Sequence, residues 1–181
     1  KELSLQQTLQ LAHFILYKFK ANMHSLLHIH AQLDAWYGMA MAIQKHNLVF
    51  PGCIASEQPF IEVSGLYHPL LSHAVSYDVN MNRQTNFLFL TGANMAGKST
   101  FIKAVGISVY LAHLGLGVPA KKMELSLFDG MLSNINVIDN ITKGESYFFN
   151  EVQRIKATIQ KVNDGRKWLI LIDELFKGTN V

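Results

Sequence analysis

The stretch from residue 92 to residue 100 contains the residue types that bind a phosphate chain. Two glycines enclose four residues and are followed at once by a lysine and a serine. Glycines let the backbone wrap so that successive N–H groups point at phosphate oxygens, while Lys98 can reach the β- and γ-phosphates and the Ser99 hydroxyl can ligate Mg²⁺. The spacing therefore predicts a nucleotide site with these residues: Gly92, Ala93, Asn94, Met95, Ala96, Gly97, Lys98, Ser99 and Thr100.

Such a loop must follow a strand and begin a helix, because the helix then directs its positive N-terminal end at the anion. The apolar run at residues 87–90 predicts a strand buried on both faces. Residues 98–114 have helical spacing, Gly115 can end that helix, and Pro119 excludes its continuation. The alternative is that these residues form an ordinary glycine-rich turn, which requires neither a strand before it nor a helix after it.

An acidic pair, Asp173-Glu174, follows a second apolar run at residues 168–172. In an ATPase with a phosphate loop, Asp173 would hold Mg²⁺ directly or through water, and Glu174 would orient and polarise the attacking water. The alternative is a surface pair at the end of a strand. Together with the loop, the pair predicts a catalytic site in which Glu174 and Lys98 act on the terminal phosphate.

The rest of the chain must position these two motifs. Residues 1–50 predict amphipathic helices packed on other structure, with a second apolar stretch at residues 33–46. Residues 118–140 predict short strands and loops, residues 145–162 a helix with one apolar face, and residues 168–172 a strand. Strands that alternate with helices predict an α/β fold with a mainly parallel sheet. We therefore expect a helical segment over 1–50 and a nucleotide-binding domain over 51–181.

Composition excludes several classes of protein. The chain has 181 residues and is 49% hydrophobic, which excludes a disordered chain. A formal net charge of +3 is too small to indicate nucleic acid or a membrane surface. The single cysteine, Cys53, excludes an intramolecular disulfide and fits a cytoplasmic protein. Because the chain begins with Lys1, we expect it to be a piece of a longer protein.

Three histidines, His24, His28 and His30, lie close together in the sequence. The first two are one helical turn apart, which is a spacing that can bind a metal. No further ligand follows at a zinc-enzyme spacing, so the cluster favours a solvated helix face and we predict no metal site apart from Mg²⁺.

The loop and several segments around it resemble the MutS family of DNA mismatch repair ATPases. That family's loop reads Thr-Gly-Pro-Asn-Met-Gly-Gly-Lys-Ser-Thr, and the Asn-Met pair distinguishes it from most phosphate loops. The resemblance covers residues 65–181 well, whereas the first helices only loosely resemble the end of the family's lever region. The matching segments are His68-Pro69, Thr91 to Thr100, Val118-Pro119-Ala120, Asp139-Asn140, Gly144-Glu145-Ser146, Phe148, Glu151, Asp173-Glu174-Leu175 and Gly178-Thr179.

This resemblance implies the ATPase domain of ABC type, a P-loop NTPase that uses ATP and Mg²⁺ and works as a homodimer. In the family, the signature segment of one subunit completes the nucleotide site of the other, and Ser146 lies where the signature serine approaches the γ-phosphate. The alternative is that Ser146 only caps a helix. The resemblance also implies that double-stranded DNA is bound by domains outside this chain, and that ATP binding is coupled to dimer closure.

Some positions differ from the family pattern. They resemble a divergent branch whose members often lack the domain that recognises mismatches. In the family an aromatic residue upstream of the loop stacks on adenine, but the aligned residue is Ala74, which cannot stack. Tyr77 is the alternative, and the stacking role stays unassigned. The differing residues are Ala93, Tyr147, Phe149, Phe176, Lys177 and Asn180.

Two other functions compete with an ATPase. One is a nucleotide-binding scaffold with no mismatch recognition or little turnover, because the family's switch histidine falls beyond Val181. The other is a kinase or a transporter ATPase with a phosphate loop, but a transporter signature of the Leu-Ser-Gly-Gly-Gln type does not precede the acidic strand. For these 181 residues alone, we expect weak nucleotide binding and negligible turnover. Core strands of the domain would be missing, and so would the contact from the signature segment of the second subunit.

Overall fold

A computed structural model describes residues 3–135 and 147–173, with the side chains of 147–150 excepted. The chain divides into two compact units, Lys1–Lys45 and His46–Val181, which are described separately.

The first unit is helical. Helix α1 (Leu5–His13) leads through a π-helical segment (Phe14–Lys18) into α2 (Lys20–His46), which confirms the helices predicted for this part of the chain. A capping box begins α1, because the Ser4 hydroxyl accepts from the Gln7 N–H at 3.3 Å and the Gln7 side chain accepts from the Ser4 N–H at 3.0 Å. The π-helical segment ends where the Phe19 N–H donates to the Phe14 carbonyl at 2.9 Å.

Neither helix buries a side chain among the residues that the structure describes. The apolar stretch at residues 33–46 predicts a packed face, but Leu33, Trp36 and Tyr37 are 56%, 59% and 67% exposed. The helices form where they are predicted, whereas the packing of this face stays a prediction, because burial requires a neighbour that helical periodicity does not identify.

In the residues that the structure describes, the second unit combines two sheets with two helices. Its elements in chain order are β1 (Gly52–Ile54), β2 (Ile61–Leu66), β3 (Tyr77–Met81), α3 (Lys98–His113), β4 (Lys122–Ser126), β5 (Gly130–Asn134), α4 (Tyr147–Val162) and β6 (Trp168–Ile172). One sheet has the order β1-β4-β2-β3, and the other pairs β5 with β6. This is a mixed α/β unit.

The prediction of a mainly parallel sheet was wrong for the larger sheet. Strand β1 pairs with β4 in parallel, but β2 pairs antiparallel with both β3 and β4. Only the smaller sheet, β5 with β6, is wholly parallel. Periodicity identifies strands but says little about direction, because direction depends on which distant segment supplies the hydrogen bonds.

The core of this unit lies between the sheets and α3. Strand β2 buries Ile61, Val63 and Leu66, and the bulge after Val63 lets Leu66 point inward as well. Helix α3 contributes Ala104, Val105, Val109 and Ala112, while β6 contributes Leu169 and Leu171. The helix that follows the phosphate loop is thus the most deeply packed helix that the structure describes.

The strand predicted at residues 87–90 is not formed. These residues have no regular structure, and Phe87 and Phe89 are 79% and 72% exposed. An extended segment becomes a strand only when another backbone pairs with it, and none of the strands among the described residues pairs with this one. The predicted strand was therefore wrong, because pairing and burial depend on neighbours that local sequence does not supply.

The elements after the loop agree with the sequence. Helix α3 covers the predicted 98–114 apart from its last residue, and Gly115 follows it with a φ of 71°. From Tyr147 onward α4 matches the predicted helix, and β6 matches the predicted strand. Among the described residues, no helix is both long and apolar enough to cross a membrane.

Candidate nucleotide-binding site

The phosphate loop turns tightly and leads directly into α3. The Ala96 N–H donates to the Ala93 carbonyl at 3.2 Å, and the Phe101 N–H donates to the Gly97 carbonyl at 2.9 Å, which begins the helix. Gly97 precedes α3 with a φ of 91°, in a region that L side chains rarely adopt. No side chain of the described residues caps α3, so its first-turn N–H groups are available to an anion.

Lys98 points back over the loop. Its Nζ donates to the carbonyl of Gly92 at 2.7 Å and to that of Ala93 at 2.8 Å. The lysine is half-buried, and these two carbonyl oxygens are the acceptors that a bound phosphate would have to replace. The ammonium group is therefore already held at the mouth of the loop, and a phosphate need only replace two neutral acceptors with charged ones.

Tyr77, the first residue of β3, supports the loop from the sheet. Its hydroxyl lies 3.5 Å from the position that a Cβ at Gly97 would occupy, and its ring packs edge to face against Phe101 with centroids 5.2 Å apart. The tyrosine thus contacts both the last turn of the loop and the first turn of α3. This places Tyr77 at the loop.

Helix α3 and strand β6 pack closely at Gly106. A Cβ at this position would lie 2.5 Å from Leu171 Cδ1 and 3.9 Å from Met131 Sδ. Gly106 is eight residues after Lys98, and Leu171 is two residues before Asp173. The absence of a side chain at Gly106 therefore lets the helix that carries Lys98 and Ser99 approach the strand that ends at Asp173.

The far end of α3 is anchored by His113. Its Nδ1 lies 2.8 Å from the Val109 carbonyl, and its Nε2 lies 2.8 Å from the Phe128 backbone N. A carbonyl can only accept and an N–H can only donate, so Nδ1 carries the proton and Nε2 accepts. The ring thereby fixes the helix to the segment that leads into β5.

Asp173 lies at the carboxyl end of β6 and is 8% exposed. Its backbone N–H donates to the Asn134 carbonyl at 3.2 Å, and the Asn134 side chain donates to the Thr158 hydroxyl of α4 at 3.2 Å. The backbone of Asp173 is therefore fixed to β5, at a residue that is also bonded to α4. A nearly buried carboxylate at a strand end is a suitable ligand for Mg²⁺.

Two predicted site residues, Ser146 and Glu174, lie outside the described residues, as do the matching segments at residues 139–145 and 178–179. Glu151 of the same signature segment is described, and it is buried on α4. The structure therefore describes the loop and Asp173 but not the predicted catalytic carboxylate.

Sequence reasoning missed the positioning residues Gly106 and His113. A glycine inside a helix is disfavoured, so Gly106 carried a signal of close packing that the sequence reading did not use. His113 gave no comparable signal.

Cys53 is exposed on β1, and no group of three or more described His, Cys, Asp or Glu side chains could hold a metal.

Comparison with known proteins places this site in a family. Residues 88–181, slightly more than half of the chain, match the family model described as MutS domain V. This range contains the loop, α3, α4, β6 and Asp173.

Individual relatives are named DNA mismatch repair proteins. The DNA mismatch repair protein MutS of Petrotoga mobilis is 30% identical over 154 residues, which are 83% of this chain and 18% of that protein. The DNA mismatch repair protein MSH3 of Vanderwaltozyma polyspora is 36% identical over 155 residues, 83% of this chain and 15% of that protein. The chain thus spans less than a fifth of the length of these relatives. On the domain match and these identities, the chain belongs to the MutS family.

Proposed function

We propose that the chain is the ATPase part of a MutS-like DNA mismatch repair protein. In this proposal residues 51–181 belong to a P-loop domain of ABC type, and residues 1–50 belong to the end of the lever region. One observation carries the proposal: the loop with Lys98 begins a helix that packs against β6, the strand that ends at Asp173.

ATP would bind along the loop at residues 92–100. Lys98 Nζ would leave the Gly92 and Ala93 carbonyls for β- and γ-phosphate oxygens, and the N–H groups of the first turn of α3 would donate to the same chain. The Ser99 hydroxyl and the Asp173 carboxylate would hold Mg²⁺, which supplies positive charge against the charge that develops on the phosphate. The donor set consists of an ammonium, a hydroxyl, a carboxylate and a helix N-terminus, and it fits a Mg²⁺-bound triphosphate.

Hydrolysis would need two residues beyond those described. Glu174 follows Asp173 directly and would orient the attacking water, while Ser146 of a second copy would complete the site. Binding energy would then favour closure of a homodimer, and closure would be coupled to double-stranded DNA held by domains outside this chain. The names of the relatives support a role in mismatch repair. A cytoplasmic location stays a prediction.

The test is Mg²⁺-ATP binding by the full-length protein with and without Lys98. Lys98→Ala should weaken binding by about ten- to a hundredfold, the range expected for losing one or two charge-assisted hydrogen bonds. Lys103→Ala is the matched control, because Lys103 lies on the same helix beyond the loop. Equal affinity in wild type and Lys98→Ala, or no binding by wild type, would exclude this site.

A separate measurement distinguishes an ATPase from a scaffold with little turnover. Glu174→Gln should abolish ATP hydrolysis by the full-length dimer and leave Mg²⁺-ATP binding nearly unchanged, because the carboxylate is needed for water and not for phosphate. Wild-type protein that binds Mg²⁺-ATP but does not hydrolyse it would instead support the scaffold.

A further inference from the structure

Met95, in the phosphate loop, is the most exposed methionine of the chain. All seven methionines lie among the described residues. The Met95 side chain is 103% exposed, compared with 47% for Met41, 37% for Met131 and 2% for Met123. The other three, Met23, Met39 and Met81, are half-buried.

The backbone holds this side chain outward. The Ala96 N–H donates to the Ala93 carbonyl, and within this turn Met95 adopts a φ of 66°. Among the described residues other than glycine, only Asn47 shares a positive φ. Asparagine adopts this conformation readily, but methionine does not. Met95 thus takes a disfavoured conformation, and its side chain contributes almost nothing to the packing of its own chain.

We propose that Met95 is an oxidation site for peroxide, and that its sulfoxide weakens nucleotide binding by the loop. The second half of this proposal rests on the function proposed above. A sulfur lone pair attacks one oxygen of hydrogen peroxide, the S–O bond forms, and the O–O bond breaks. The departing hydroxide takes a proton and leaves as water. The sulfur is oxidised by two electrons, and the peroxide is reduced by the same two.

The product changes the chemistry of the loop. A thioether is apolar and accepts hydrogen bonds weakly, whereas a sulfoxide oxygen carries partial negative charge and is a strong acceptor. Met95 is three residues before Lys98 in a loop whose donors are proposed to bind phosphate. The sulfoxide oxygen repels phosphate oxygens and competes with them for the same donors. Methionine sulfoxide reductases reverse the modification, so the effect is reversible.

The site itself is tested by oxidation rates in the full-length protein. Trypsin cleaves after Arg83 and Lys98, so the peptide 84–98 contains Met95 and no other methionine. Under dilute hydrogen peroxide we expect this peptide to gain one oxygen atom at least about ten times faster than Met123, because oxidation follows exposure. A rate at Met95 no greater than those at Met131 and Met123 would overturn the proposal.

The effect on binding is tested with the same samples. Once Met95 is oxidised, the dissociation constant for Mg²⁺-ATP should rise about tenfold, the loss of roughly one charge-assisted hydrogen bond. Methionine sulfoxide reductases A and B together should restore it. Met95→Leu is the control, with each protein compared with its own untreated sample, and peroxide should not change its affinity. The proposed effect would be overturned if peroxide lowered the Mg²⁺-ATP affinity of Met95→Leu as much as that of wild type. It would also be overturned if fully oxidised wild type kept its affinity.

The two proposals fail in different ways. Untreated protein that does not bind Mg²⁺-ATP overturns the nucleotide site, and with it the effect assigned to the sulfoxide. The peptide rates need no nucleotide and still decide whether Met95 is the oxidation site.

Discussion

The two units of the chain place their apolar side chains differently. In the helical unit, no described residue of α1 or α2 is buried, although Leu5, Leu33 and Trp36 are large and apolar. In the α/β unit, strands β2, β4 and β6 and helix α3 enclose a continuous core. The first unit is therefore held by bonds within each helix among the described residues, whereas the core of the second joins segments far apart in the chain.

The difference comes from where the backbone hydrogen bonds go. A helix pairs its own N–H and C=O groups within four residues, so α2 can exist over 27 residues without a buried side chain. A strand has no partner within itself. Residues 87–90 show this, because the apolar pattern that gives β6 beside β5 gives no strand there, where none of the described strands pairs with it.

The largest expected effect that tests this comparison is at a pair of helical glycines. Gly106→Ala should lower the free energy of unfolding of the α/β unit by about 1–3 kcal/mol, because the new Cβ would overlap buried Leu171. Gly38→Ala is the matched change in α2, where no atom lies within 4 Å of the new Cβ, and it should stabilise the helix by up to about 1 kcal/mol.

Urea unfolding can follow the two units separately, since Trp36 lies in the first and Trp168 in the second. A Trp→Phe background at either position leaves one fluorescent probe. If Gly106→Ala and Gly38→Ala changed the free energy of unfolding in the same direction, the two units would not differ in packing at these helices.

A pair of helical serines gives a smaller effect. The Ser108 hydroxyl is fully buried in α3 and has no hydrogen-bond partner among the described residues. Ser108→Ala should therefore stabilise the α/β unit by about 1 kcal/mol, because it removes an unsatisfied buried group. Ser25 in α2 is exposed and donates to the Ala21 carbonyl at 3.1 Å. Ser25→Ala should change stability by less than about 0.5 kcal/mol. A loss of stability in Ser108→Ala would mean that its hydroxyl has a partner.

In the helical unit, the corresponding local test is the capping box of α1. Ser4→Ala should destabilise this helix by about 1 kcal/mol, because the Gln7 N–H loses its acceptor. Hydrogen exchange of the amides in the first turn should become faster, while the Trp168 unfolding transition stays where it is in the wild type. A shift in that transition would show that the two units do not form independently.

The smallest expected effect is a pH dependence at the turn between α4 and β6. Hydrogen bonds from the Trp168 indole at 2.9 Å and from the Arg166 N–H at 3.0 Å hold the pKa of Asp164 below its usual value of 3.8. A lowered pKa in the folded state means that the carboxylate stabilises the fold above its unfolded pKa. That contribution is lost as the pH falls through the folded pKa.

As the pH falls from about 5 to about 2, the free energy of unfolding should therefore decrease less in Asp164→Asn than in wild type. Above about pH 5, the stability of both proteins should depend on pH in the same way. Thermal unfolding across this range, followed by Trp168 fluorescence, measures the difference. Identical acid dependence in the two proteins would show that these hydrogen bonds do not depend on the charge of Asp164.

Most elements of the candidate site could be predicted from the sequence. The glycine spacing, the helix from Lys98 and the strand that ends before Asp173 are local patterns, and the structure contains the helix and the strand where they were expected. The roles predicted for Glu174 and Ser146 stay predictions. Gly106 and Tyr77 gained their importance only from contacts across the fold, with Leu171 in one case and with Gly97 and Phe101 in the other.

By itself, the sequence determined the helices, the turn chemistry of the loop and the family to which the chain belongs. These depend on side chains and φ preferences within a few residues of each other. The tertiary structure alone decided the direction of β2 in its sheet, the exposure of residues 87–90 and the close approach of α3 to β6. Strand pairing and burial are interactions between segments far apart in the chain, so no local pattern specifies the partner.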